Sequence, residues 1–444
     1  MVFKDSWVRF FSLGQSDEYY IELNSLGGDI RDEILSALKD IAFDNNMYWS
    51  NKNHDVTQNS LMRDIAQTTV LGQFHRLAIG RARLSEYNFN YKIKSQYEWE
   101  NDIELHFEVH PNSKPPTNVH VIIGRNGVGK TRLLTNMVKS IILNDGMFYE
   151  INSNNEIKDI RRIFAGIVFV SFSAFDYDIP LDSNGESIKY SYIGLKRRED
   201  DSDSLLNKKV EDLTQEFAET LKICFSNSKL NLWKRIINLL SSDPIFKANS
   251  ISEILEGYPE DITDAGKAEI MISNANRVFD KLSSGHKIVL LTLSSLVTRV
   301  EERTLVLIDE PEVHLHPPLL AAFTRALSEL LINRNGVAIV ATHSPVVLQE
   351  VPQTCVWKLR RYGTNVMIER LQIECFGENL GVLTSEVFRH EVTESGVHKM
   401  LADCVEKCDT FEEVMEEFDN QLGFEAQAIL RSMLVNKNKE NSYE

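Results

Sequence analysis

Three things are scarce in this chain, and each scarcity excludes something. Cysteine occurs five times in 444 residues, as Cys224, Cys355, Cys375, Cys404 and Cys408. That is too thin for a disulfide framework. Cys404 and Cys408, downstream of His390 and His398, share a helix face at a spacing that matches no zinc pattern and read as core. Long apolar runs are missing: no stretch approaches the roughly 18 residues of a membrane helix, and the opening MVFKDSWVRFFSLG holds too short an apolar run for a secretory signal. A reducing cytoplasm, with no membrane contact, is the expected location. Positive charge is also short, with 48 Lys and Arg against 65 Asp and Glu, a net charge of −17. Such a surface repels nucleic acid on average, so any DNA contact must come from a local basic patch or from a partner.

What remains is an ordinary globular composition, 43% hydrophobic, in a chain long enough for one large core or two to three smaller ones. Its centre is the stretch VIIGRNGVGKTRLL. Gly124, Arg125, Asn126, Gly127, Val128, Gly129, Lys130 and Thr131 match G-x-x-x-x-G-K-[ST] at every fixed position, between an apolar strand and a helical pattern. Glycines at those positions let successive backbone N–H groups converge on phosphate oxygens, and the following helix adds its positive end. Lys130 is expected at the β- and γ-phosphates, and the Thr131 hydroxyl on Mg²⁺, which makes ATP and Mg²⁺ the expected ligands.

Upstream, residues 7–13, 19–23, 85–93 and 103–110 read as strands and residues 31–42 as a helix, with PNSKPPT as a turn into the P-loop strand. Tyr87, Phe89 and Tyr91 alternate, which suits packing under a sheet better than stacking on adenine. Downstream, after the polar patch 152–156, residues 165–170 form a buried-looking strand whose polar end offers Ser171 and Ser173 to a ligand. From about residue 180 to 280 the pattern turns helical around a charge run at 197–204, with no heptad repeat. A Ser-Ser-Gly turn (Ser283, Ser284, Gly285, then His286) opens an apolar helix, where a cap is the default and anion binding the sharper reading.

Next, TLVLI runs into Asp309 and Glu310, a buried strand ending in two carboxylates: Asp309 for Mg²⁺, Glu310 to orient or deprotonate an attacking water. A second apolar strand, 336–341, ends in Thr342-His343, an imidazole that can bond a γ-phosphate or that water. A metal cluster of His314, His316 and His343 is disfavoured, since Thr131 and Asp309 already account for Mg²⁺. The tail, 401–434, reads as helices, with Phe411, Val414, Met415, Phe418 and Leu422 as an apolar stripe that either packs or docks a partner.

Taken in order, GRNGVGKT, LSSGH, LVLIDEPEVHLHP and VAIVATHS resemble the ATP-binding-cassette ATPases, and more narrowly their SMC and RecF-type heads. Within these the chain is similar to the PtuA ATPases of Septu anti-phage systems, including retron-associated ones, on SFSAFD, YSYIGL, FGEN and TSEVF. The resemblance implies an α/β P-loop head with a mixed sheet. Its N-terminal lobe would be 1–180, a helical insert 181–280, the C-terminal lobe 281–375, and a helical, partner-docking extension 376–444. It also implies catalytic roles for Glu310 and His343, and a homodimer or larger homo-oligomer. There Ser283, Ser284, Gly285 and His286 would form a signature acting in trans, with Ser284 and Gly285 of one copy touching the γ-phosphate held by Lys130 of the other.

The family usually has a Gln after the 165–170 strand, where this chain has Ser171-Phe172-Ser173. No D-x-D pair or H-N-H signature follows the last motif, so the resemblance implies a separate HNH nuclease, PtuB, as partner, with a retron reverse transcriptase and its nucleic acid as further candidates. A DNA-clamping repair ATPase without a nuclease is the alternative reading, and a transporter engine is disfavoured.

Overall fold

The computed structural model describes residues 10–63, 65–80, 85–94, 102–151, 157–172, 188–198, 205–226, 229–248, 254, 264–362, 365–394, 396–408 and 410–440. Two compact units result, Met1–Gly377 and Glu378–Glu444.

The first unit contains thirteen named strands. In chain order they are β1 (Tyr87–Ile93), β2 (Ile103–Val109), β3 (Val119–Ile123), β4 (Phe148–Ile151), β5 (Ile157–Asp159), β6 (Gly166–Ser171), β7 (Lys189–Gly194), β8 (Lys196–Arg198), β9 (Leu205–Asn207), β10 (Thr304–Asp309), β11 (Val337–Thr342), β12 (Val356–Tyr362) and β13 (Asn365–Arg370). Seven of them form one sheet in the order β13-β12-β3-β11-β10-β6-β7. All its pairs are parallel except β12 with β13, so the sheet is mixed. Residues of β3, β6, β10 and β11 are buried throughout, which is why these strands read as unbroken apolar runs: both faces are covered.

A second, antiparallel sheet runs β2-β1-β4-β5. Tyr87, Phe89 and Tyr91 point into the core between the sheets, where Phe89 stacks on Phe107 and Tyr87 on Phe164. The helix Lys130–Leu143 packs its Leu134, Met137, Val138 and Ile141 into the same core.

Several stretches differ from their sequence expectation, among them the helix expected at 31–42, which runs Gly28–Ala37 and is followed by Lys39 at φ +49°. Residues 19–23 lie within the helix Asp17–Ser25, capped by Ser16, whose Oγ accepts from Tyr19 N at 3.3 Å. Tyr20 and Leu23, three apart, face one helical core, a spacing that a short strand reading overlooks. Residues 7–9 lie outside the described residues, and Ser12 makes an isolated bridge to Asp40. The 181–280 stretch is not wholly helical: β7 adds the edge strand beside β6, and β8 pairs with β9. The apolar side chains of β7, Tyr190, Tyr192 and Ile193, are too mixed with polar neighbours to announce a strand.

The N-terminal helices, with a core around Tyr20, Leu35, Tyr48 and Phe74, join the main body through polar contacts. Arg76 pairs with the buried Glu302, and Gln73 Nε2 donates to Asn333 O at 2.8 Å. The helices Val210–Ser226 and Leu230–Asn238 pack beside Ser284–Arg299, where Trp233 Nε1 donates to Ser294 Oγ at 2.8 Å, and Phe217 stacks on Phe279 of the helix Asp264–Lys281.

The second unit has its own small core of Leu401, Val405, Val414, Leu430 and Leu434. Phe411, Phe418 and Leu422 pack against that core, so most of the apolar stripe is spent within the unit. Among the described residues no helix is long and apolar enough to cross a membrane.

Candidate functional site

The parallel registers bring four strand ends to one edge. Ile123 pairs with Thr342, Asp309 with Ala341 and Asp309 with Ser171. The loops that leave this edge carry the P-loop, the acidic pair and His343, in the place where open α/β sheets bind ligands.

In the P-loop, Gly129 has φ +104° and caps the helix Lys130–Leu143. That conformation is strained for any side chain, and the space where a Cβ would sit is open. Arg125, Asn126 and Gly127 are exposed, so the loop's concave side is accessible to an anion. Lys130 is buried, and its Nζ donates to the carbonyls of Gly124 and Arg125, both at 3.0 Å, and lies 3.2 Å from Glu310 Oε1. Thr131 Oγ1 donates to Asp309 Oδ2 at 2.7 Å. These are hard oxygen donors at close to the ~3 Å that separates neighbouring ligands around an octahedral Mg²⁺, so the residues fit that ion.

Glu310 follows β10 in a left-handed conformation, φ +42°. For a non-glycine residue this costs about 1–2 kcal/mol, and it is held by Glu310 N donating to Ala341 O at 2.9 Å and by Pro311 behind it. The turn aims the carboxylate back at Lys130. His343 and Lys130 beside it outweigh burial and hold the Glu310 pKa below the usual carboxylate range.

Sequence reasoning missed Glu312. Its Oε1 accepts from Thr342 Oγ1 at 2.5 Å and His343 N at 2.6 Å, and lies 3.0 Å from His343 Nδ1. The side chain is only 8% exposed. With Glu310 Oε1 3.8 Å away on the other side, the two carboxylates push the His343 pKa up to about 9, so its ring is an imidazolium at neutral pH. The available signal was the second acid two residues after Glu310, on a loop tight enough to turn back onto the neighbouring strand.

A separate cluster surrounds the Ser-Ser-Gly turn. Ser283 is the N-cap of the helix Ser284–Arg299, and both serines are exposed. Gly285 presses on the His314 carbonyl so closely that a Cβ would stand 2.1 Å from that oxygen. His286 is buried, with Nδ1 2.6 Å from Ser283 Oγ and Nε2 3.1 Å from Asp243 Oδ1. His316 Nε2 lies 3.1 Å from the other oxygen of Asp243. Burial pushes the Asp243 pKa up, but the backbone N–H of Phe246, the His286 ring and the backbone N–H of Ile245 prevail and hold it down. A short 3₁₀ helix, Pro311–His314, joins this cluster to Glu310.

Over 445 residues the sequence is 40% identical to protein ea59 of Escherichia phage lambda, covering 97% of this chain and 84% of that one. The chain belongs to the ea59 family. Within this ea59-family chain, residues 241–349 match a family model described as AAA domain, putative AbiEii toxin, Type IV TA system. Similar solved structures include the ADP form of an ATP-binding cassette of an ABC transporter (16% identity, 66% of this chain and 93% of that chain, TM-score 0.30). Another is the SMC head domain from Thermotoga maritima (14% identity, 65% and 100%, TM-score 0.30). The strand order, the parallel registers and the P-loop between β3 and its helix make the first unit an α/β P-loop fold with a mixed sheet.

Of the residues expected from the sequence, Lys130, Thr131, Asp309, Glu310 and His343 converge on one edge, and Ser283, Ser284, Gly285 and His286 gather at the second cluster. Ser171 is fully buried, its carbonyl accepting from the Tyr192 hydroxyl at 3.1 Å. Ser173 lies outside the described residues. His316 and His343 belong to different clusters, each with its own carboxylate partner.

Proposed function

We propose that the protein binds and hydrolyses ATP with Mg²⁺, and that two copies close head to head around the nucleotide. The observation that carries this is the division of the motifs. Lys130, Thr131, Asp309, Glu310 and His343 form half a site at the sheet edge, while exposed Ser283 and Ser284 stand at a helix N-terminus of their own.

In this reading the P-loop N–H groups and Lys130 hold the β- and γ-phosphates, and Thr131 with Asp309 holds Mg²⁺, which supplies charge neutralisation on the phosphates. Glu310 leaves Lys130 once phosphate replaces it and takes the proton of the attacking water. His343, kept cationic by Glu312 and Glu310, donates to the γ-phosphate. Ser283, Ser284 and Gly285 of the second copy, at the positive end of their helix, cover the same phosphate.

The finer proposal is that this ATPase regulates a separate HNH nuclease of the PtuB kind in anti-phage defence, with the 376–444 region as a candidate docking element. Its support is the motif resemblance together with the lack of D-x-D and H-N-H signatures in the tail sequence. The head-to-head reading is tested with Glu310→Gln. This variant with Mg-ATP should sediment as a dimer, Lys130→Ala as a monomer, and a monomer in both refutes the reading.

A further inference from the structure

The Asp243 carboxylate has no part in the mechanism above, yet it sits where three elements meet. Asp243 belongs to the turn between the 3₁₀ helix Leu239–Ser242 and the helix Pro244–Ala248, in the helical part of the first unit. It is 4% exposed. Its Oδ1 accepts from Ile245 N at 2.8 Å and Phe246 N at 3.1 Å, capping the short helix, and faces His286 Nε2, while Oδ2 faces His316 Nε2.

Both imidazoles have partners on each ring nitrogen. His316 Nδ1 accepts from Leu319 N at 3.4 Å, so its Nε2 carries the proton toward Asp243. His286 Nε2 faces an Asp243 oxygen that only accepts, so Nε2 carries a proton, and Nδ1 pairs with the Ser283 hydroxyl at 2.6 Å. Each ring nitrogen therefore has a proton partner without any metal ion, although an Asp and two His converge here within ligand distance.

We propose that Asp243 is a positioning residue that clasps the Ser283–His286 turn to the His314–His316 segment. It thereby sets the face that one copy offers to the nucleotide held by the other. The inference rests on the head-to-head reading. Two observations support it: Gly285 is pressed onto the His314 carbonyl, a fit that survives only if the two segments keep their spacing, and the short Pro311–His314 helix connects the His316 segment directly to Glu310. A movement of the helical region would reach both the covering turn and the hydrolytic carboxylate through this one side chain.

The test is Asp243→Asn in the full chain, with Asp243→Ala and His316→Ala beside it. Asn keeps an oxygen for the helix cap but presents an N–H₂ where an acceptor is required. Nucleotide affinity is read with fluorescent ATP under monomeric conditions, and turnover with Mg-ATP at saturating concentration. The clasp predicts that Asp243→Asn lowers kcat at least tenfold while the dissociation constant changes less than twofold. It also predicts that Asp243→Ala combined with His316→Ala is no slower than the worse single variant.

Wild-type kcat in Asp243→Asn overturns the clasp, as does an affinity loss that parallels the loss of turnover. Stoichiometric transition metal in the purified wild type, whose removal by chelator reproduces the loss, overturns it in favour of a metal site. If Glu310→Gln fails to dimerise with ATP, the head-to-head reading itself has failed. If it dimerises, and Asp243→Asn turns over normally, only the clasp has.

Discussion

Replacing Glu312 separates its two jobs, holding the end of β11 and charging His343. In Glu312→Ala two short hydrogen bonds, from Thr342 Oγ1 and His343 N, lose their acceptor in a nearly closed site. Stranding such donors costs about 2–4 kcal/mol, or a fall of roughly 3–5 °C in Tm for a unit of this size. Glu312→Gln keeps the amide oxygen for both bonds and removes only the charge, so its Tm should stay within about 1–2 °C of wild type. Its effect falls on His343, whose pKa near 9 depends on Glu310 first and Glu312 second.

Losing one of two neighbouring carboxylates lowers an imidazole pKa by about 1–2 units. His343 is cationic below its pKa, so the alkaline limb of ATP turnover should move from about pH 9 in the wild type to about pH 7–8 in Glu312→Gln. The assay is steady-state hydrolysis from pH 6 to 10, with ring-labelled histidine NMR reporting the same titration. An unshifted alkaline limb in Glu312→Gln, with unshifted histidine signals, would refute the argument that Glu312 charges His343.

Three further outcomes are expected. Lys130→Ala should abolish binding of fluorescent ATP if the buried ammonium at the P-loop carbonyls is the proposed phosphate ligand; retained affinity counts against that role. Thr131→Ala should raise the Mg²⁺ concentration for half-maximal turnover by about tenfold or more, the cost of one lost hard-oxygen ligand, with ATP binding in the absence of metal little changed. His120, wholly enclosed in β3, has its pKa pushed down to about 3 by burial and by Arg370. Its contribution to stability is complete above the unfolded value of about 6.5. That contribution is lost as pH falls from there toward 3, at up to about 1.4 kcal/mol per pH unit, a slope that His120→Leu should flatten in pH-dependent melts.

The strands of the site were legible because they are buried on both faces: apolar runs such as Val121–Ile123 or Leu305–Ile308 admit few other readings beside a P-loop. Lys130, Thr131, Asp309 and Glu310 stood out by their spacing along the chain, and the structure brings them into contact at one sheet edge. Glu312 and Asp243 did not stand out. Glu312 acts on the neighbouring strand through a return of the loop, and Asp243 reaches across about forty residues to His286 and over seventy to His316. Such contacts depend on tertiary geometry that no local pattern encodes. The first helix was mistaken for a strand because five residues, YYIEL, are too short to tell a period of 3.6 from one of 2.

The shared site is tested most directly by complementation. Lys130→Ala and Ser284→Arg, each prepared alone, should turn over little or no ATP. Mixed in equal amounts, they can form a pair in which the intact P-loop of one copy faces the intact serine turn of the other. Mixing should restore turnover to as much as about a quarter of the wild-type rate, because random pairing yields one good site in four. A mixture as inactive as its components, under conditions in which the two variants are shown to associate, would contradict the shared site.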